Sequence, residues 1–192
     1  MLYVLAEMLL QRARSDAIGR GRALTGTRGP GDRLRMGMQL YVVAAEKTLA
    51  RAFFEQEDWW ERVESPSPDF LVADLDKAWD ALRFVLARAR EGDDPGAFIY
   101  AGGEDVGDDL GYGPARFFDA TATAALASSV ESIDDDAFDG AFDPAAMTSV
   151  YPMVWDEPRA DLLEEHLDHF RRLKQVLVAA RERGWSLSVA MT

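Results

Sequence analysis

At 192 residues and 48% hydrophobic content, the chain is long enough for one well-filled core and short for two. A net charge of −13 argues against phosphate-backbone binding, which needs clustered Lys and Arg, so nucleic acid is not an expected partner. The absence of cysteine excludes disulfides, thiolate catalysis and cysteine metal sites and fits a cytoplasmic protein; charged residues also interrupt every apolar run before the ~18 residues that a membrane span requires.

In chain order, residues 1–35 form a basic segment. Seven arginines there face Glu7, Asp16 and Asp32, a net +4 that leaves −17 for the remainder. The apolar run Leu2 to Leu10 lacks a positive n-region and contains Glu7, so it does not read as a signal peptide. Residues 19–35, with five glycines, five arginines and no hydrophobic periodicity, read as flexible. The segment is expected to be dispensable for folding: either an arm for an acidic surface or a start assigned upstream of Met36, ahead of a domain spanning 36–192.

From there the pattern alternates. Gln39 to Ala44 is a β-branched and aromatic run suited to a strand, and Ala45 to Gln56 has helical spacing. Glu57 to Phe70, with Trp59-Trp60 ahead of Ser65-Pro66-Ser67-Pro68, reads as a loop. Asp74 is the predicted N-cap of a helix through about Ala89, with Leu75, Ala78, Trp79, Leu82, Val85, Leu86 and Ala89 on its apolar stripe. Ala97 to Ala101 and Ala115 to Phe118 read as strands joined through a glycine-rich acidic loop. Asp119 should cap a helix through about Ile133, the Asp134-Asp135-Asp136 run should start a shorter one, and Pro144 could begin a third. The longest helix is predicted from Pro158 to about Arg183, stopped by Gly184 and followed by a last strand over Trp185 to Met191. These elements make an α+β single domain: a small mixed sheet covered by helices, with a long C-terminal helix followed by a final strand.

Four segments, in this order and spacing, resemble one bacterial family: Met36-Gly37-Met38, Leu75-Asp76-Lys77-Ala78-Trp79-Asp80-Ala81-Leu82, Asp108-Asp109-Leu110-Gly111-Tyr112-Gly113-Pro114-Ala115-Arg116, and Val150 to Glu157. The family is the YfbM-like group of domains of unknown function. The resemblance covers roughly four fifths of the chain, implies a fold that begins near Met36, and transfers no catalytic residue. The 35 residues before Met36 depart from the family pattern.

The loop from Gly102 to Gly113 holds five glycines with Glu104, Asp105, Asp108 and Asp109, yet it matches no calcium motif, and Arg116 stands where G-x-G-x-x-G needs its last glycine. Glycine at turn positions is the commoner explanation of such a loop. Arg116 and Tyr112 are the candidates for gripping a ligand, Arg116 through carboxylate or phosphate, although pairing with a nearby Asp is its commoner role. Asp76 and Asp80, four apart on the predicted helix, are a candidate carboxylate pair if both line a pocket; a solvated face is the simpler reading. Trp79 should fill the core, its N–H on one buried acceptor. Tyr151, Trp155 and Asp156 could border a cleft, Asp156 serving equally well as N-cap of the last helix. His166 and His169 have i, i+3 spacing but no H-E-x-x-H order, so no metal is expected, and no G-x-S-x-G elbow supports a nucleophilic serine. No cofactor is expected.

Two function classes follow. One is a non-catalytic acidic module, inhibitor- or immunity-like, that engages a basic protein partner electrostatically. The other is a small-molecule-binding domain or hydrolytic enzyme with its site around the glycine-rich loop and Arg116. A contiguous exposed acidic patch favours the first; acids converging with Arg116 in a deep pocket favour the second.

Overall fold

The computed structural model describes residues 37–65, 67–90 and 92–192. The basic segment 1–35 lies outside the described residues.

Strand β1 (Leu40–Ala45) is apolar and buried at all six positions. An antiparallel strand that faced water on one side would alternate, so this continuous run requires cover on both faces. Leu40, Val42 and Ala44 point into one core with Ala73, Leu75, Phe118, Leu187 and Val189. Tyr41, Val43 and Ala45 point into a second with Phe70, Val106, Ala115, Phe117 and Ala190. β1 sits inside a five-stranded sheet of order β2-β1-β5-β4-β3, with β2 (Phe70–Asp76) and β3 (Glu104–Val106) at its edges and β4 (Ala115–Phe118) and β5 (Ser186–Met191) completing it. The α+β class and the long C-terminal helix followed by a strand are as expected. The sheet, however, is antiparallel at every pairing rather than mixed. The reason is in the strand order: strands that pair run in opposite directions, as where Phe70, opening β2, pairs with Ala45, closing β1, while β2 and β3, joined by a connection that crosses the sheet, lie at opposite edges and do not pair.

The smaller core is covered by α1 (Lys47–Ala52), a 3-10 turn at Phe53–Glu55 and the short α2 (Trp59–Arg62). Ser188 donates its hydroxyl to the Ala50 carbonyl at 2.6 Å, so a small polar residue on β5 holds α1 against the sheet. The larger core is covered by α3 (Trp79–Ala89), α4 (Ala120–Glu131), α5 (Asp135–Ala141) and α6 (Arg159–Arg183). Asp119 caps α4 as predicted, and Asp134, at the head of the run expected to start a helix, caps α5; they accept from Ala122 N and Ala137 N at 2.8 Å. Along α6, Leu162, His166, Leu167, Phe170, Leu173, Val176, Leu177 and Ala180 form the buried stripe. Gly184 stops it at φ 63°, and Trp185 N donates back to Ala180 O at 2.8 Å, closing the C-terminal turn.

Besides the expected loop from Glu57 to Phe70, which contains the short helix α2 and the first residue of β2, three local expectations change. Asp74, Leu75 and Asp76 belong to β2, not to a helix, because pairing with β1 runs to Leu40↔Asp76 and places Leu71, Ala73 and Leu75 at period two against the larger core. Helix α3 therefore starts at Trp79, with no side-chain cap. Ala97 to Ala101 is not a strand: Ala97–Ile99 is a 3-10 turn that drops Phe98 and Ile99 into the core. Gly96 makes this possible, since a Cβ there would lie 2.9 Å from Arg83 Cα on α3. The strand forms later, at Glu104–Val106 inside the glycine-rich segment, where it pairs with β4. Finally, Asp156 does not cap α6, whose first turn follows Pro158 without a side-chain acceptor. Pro at the entry favours the helical start by its fixed φ.

Candidate functional site

The residues singled out in the sequence fall into two groups. At the junction of β2 and α3, Asp76 takes φ 41°, a left-handed conformation that Asp tolerates better than most residues, and turns the chain out of the sheet. Its Oδ1 accepts from Gln39 Nε2 at 2.9 Å, and its backbone N–H donates to Asp74 Oδ1 at 2.9 Å. Asp80 lies in the first turn of α3, with Oδ1 taking Arg83 Nε at 2.8 Å and Oδ2 taking Tyr151 N at 2.9 Å. The Tyr151 ring stacks on Trp79 with centroids 5.8 Å apart, and its hydroxyl accepts from Met38 N at 3.1 Å. Trp79 is 5% exposed and donates its indole N–H to Met38 O at 3.3 Å. Asp76 and Asp80 thus do not share a helix face. Asp80, Tyr151 and Trp79 form a clamp that ties Met38, just ahead of β1, to α3 and to the loop before α6, and each polar atom named here has a structural partner.

Tyr112 and Arg116 belong to the glycine-rich segment. Asp109 Oδ1 accepts from Gly111 N at 2.7 Å and Gly113 N at 3.0 Å, and both glycines have positive φ, so one carboxylate folds the loop tip and leaves Tyr112 exposed between them. Arg116, in β4, is half-buried and donates Nη1 to Phe98 O at 2.9 Å and Nη2 to Ile99 O at 2.6 Å. These are carbonyls that the 3-10 turn leaves without strand partners. Burial pushes the guanidinium below its ordinary value while Asp105, opposite in register on β3, pulls the other way; an arginine remains charged in either case. Arg116 therefore holds a turn through its two terminal nitrogens, and among the described residues it forms no Asp salt bridge.

The histidines are engaged similarly. His166 is buried, its Nδ1 at 2.7 Å from Leu162 O, with its ring between Phe142 and Trp155 at 5.3 and 5.4 Å. That contact requires a proton on Nδ1, and burial pushes the imidazole pKa down. His169 Nδ1 lies 3.2 Å from Asp74 O. Among the described residues no group of three or more His, Cys, Asp or Glu is placed to hold a metal. No helix among them is long and apolar enough to cross a membrane.

The open concavity lies elsewhere on the glycine-rich segment. A groove of ≈ 630 Å³ runs between Gly107, Asp108 and Leu110 on one side and the turn from Phe54 to Trp59 on the other. Trp59 packs edge-on against Phe54 and Tyr41 at 5.3 and 5.7 Å, which fixes its ring. Gly107, at φ 73°, lets the loop close on Glu55: a Cβ there would lie 3.0 Å from Glu55 Cγ. Glu55, Glu57 and Asp108 line the groove and are exposed. None of them forms a close ion pair among the described residues, although Glu55 interacts at longer range with Arg51. The neighbouring cations are held elsewhere, Arg51 by Glu104 and over the Phe117 ring, Arg62 over Phe53 and Phe70. Sequence reading placed Asp108 in a candidate loop but missed the opposite wall. The available signal was an aromatic pair, Trp59-Trp60, set among Glu55, Glu57, Asp58, Glu61 and Glu64.

No curated protein matches this chain. Among solved structures it is similar to a protein of unknown function from Escherichia coli, YfbM: 18% identity over 80% of this chain and 99% of that one, with a TM-score of 0.57, a likeness of fold. The family model described as a domain of unknown function, DUF1877, matches residues 36–189, nearly the whole sheet and its helical cover, and the chain belongs to that family.

Proposed function

We propose that this protein is a non-catalytic bacterial cytoplasmic module, of the inhibitor or immunity type, that binds a basic protein partner through the acidic face around the groove. The observation that carries the reading is the grouping of three exposed acids with Trp59 along one groove, whereas several acids elsewhere are ion-paired. On the helical side, Glu131, Asp135 and Asp139 are paired with Arg181, Arg171 and Arg159. Glu55, Glu57 and Asp108 at the groove form no such ion pair among the described residues and share it with the half-buried ring of Trp59. Unneutralised carboxylates on an open surface attract and orient a cationic partner without a large penalty for burying them. The alternative reading requires Arg116 to face a ligand, and its two terminal nitrogens are instead bound to backbone carbonyls.

The test is an affinity pull-down from native lysate, with bound material analysed for both proteins and small molecules. The reading expects a basic protein whose retention falls steeply with added salt. Recovery of a stoichiometric small molecule with no protein would overturn it.

A further inference from the structure

Resting on that reading, we propose that the groove between Trp59 and Gly107-Asp108 seats an arginine side chain of the basic partner. Three features set the chemistry. The indole of Trp59 is held by Phe54 and Tyr41 and lines the groove with part of its surface open. Phe54 and Leu110 supply apolar surface beside it. Glu55, Glu57 and Asp108 bring three carboxylates to the same space, and no Lys or Arg of the described residues lines it, Arg51 acting on Glu55 only from outside. A guanidinium suits this combination better than an ammonium: it is planar, weakly hydrated and stacks on an aromatic face while its edge donates to carboxylates. The same surface already uses arginine in this way, with Arg51 and Arg62 over phenylalanine rings at 5.0 to 5.2 Å. Gly107 keeps the wall in place, because a side chain there would displace Glu55 from the groove.

The experiment is a titration of the isotope-labelled full chain with N-acetyl-arginine-amide, followed by NMR, with N-acetyl-lysine-amide as comparison. Saturable shifts confined to the Trp59 indole N–H and the amides of Glu55, Glu57, Gly107 and Asp108 are expected, with the lysine probe weaker. The double variant Glu57→Gln/Asp108→Asn changes only exposed side chains and should weaken arginine binding about tenfold, as expected when charge-assisted hydrogen bonds are removed. Trp59→Leu, which retains apolar packing, should weaken it as well. Non-saturating shifts spread over the acidic surface, equal response to the lysine probe, or unchanged binding by the double variant would each overturn the assignment. The two readings fail separately. A captured basic partner that binds wild type and the double variant equally removes the groove inference and leaves the module reading intact. Absence of any salt-sensitive basic partner removes the module reading itself.

Discussion

Replacing Arg116 with alanine tests the structure against the sequence most sharply, because the two give different magnitudes. From sequence, Arg116 follows an exposed loop, and its loss should cost no more than roughly 1 kcal/mol, the ordinary range for a surface substitution. In the fold it donates to Phe98 O at 2.9 Å and Ile99 O at 2.6 Å, and those carbonyls belong to a turn whose side chains are buried. Hydrogen bonds from a charged donor contribute about 1.5 to 3 kcal/mol each. Because the guanidinium is only half-buried, water can replace part of the loss, and the expected cost for Arg116→Ala is about 2 to 3 kcal/mol in total. For a domain of this size that corresponds to a fall in Tm of roughly 4 to 12 °C. Arg116→Lys should lie between, since one ammonium lacks the fork that spans both carbonyls. Urea unfolding followed by tryptophan fluorescence gives the numbers, and hydrogen exchange at residues 97–101 shows whether the turn loosens first. A cost below about 0.5 kcal/mol for Arg116→Ala would refute the structural assignment and return Arg116 to the list of ligand-binding candidates.

Trp79→Ala should cost ~3 to 5 kcal/mol through loss of a buried ring stacked on Tyr151, whereas Trp79→Phe, which loses chiefly the bond to Met38 O, should cost about 1 kcal/mol; near-equal costs in denaturant titrations would contradict this. His166 makes stability depend on pH. Burial lowers its folded pKa below the unfolded value of about 6.5, so the unfolded chain takes up the proton first. The contribution of the neutral imidazole is complete above about 6.5 and is lost as pH falls from there through the folded pKa. His166→Phe should flatten the stability profile just below pH 6.5, and a variant retaining the wild-type slope would assign it to other groups. Zinc at a modest molar excess should leave Tm unchanged, because no group of three or more His, Cys, Asp or Glu is placed to hold a metal among the described residues; a saturable rise abolished by His169→Ala would show a site.

The sequence by itself determined the elements whose signals are local. The caps Asp119 and Asp134, the stop at Gly184 and the 3.6-residue stripe of α6 are each read within a few neighbouring residues, and each forms where its pattern lies. β1 was legible because six consecutive apolar residues have few alternatives to a strand covered on both faces. Tertiary structure decided what depends on partners distant in the chain. Asp74 looks like a helix cap until pairing with β1 draws it into β2, and the apolar run from Ala97 looks like a strand until Gly96 lets it turn against α3. Arg116 looks like a surface cation for a ligand or a nearby Asp until the carbonyls of that turn reach it. The groove belongs to the same class: Trp59 and Asp108 stand about fifty positions apart, and only the packing of the Phe53–Glu55 turn and α2 beside the loop after β3 brings an aromatic ring and three carboxylates to one surface. Local patterns report short-range backbone preference, whereas a binding surface is assembled by long-range contacts that no window of sequence contains.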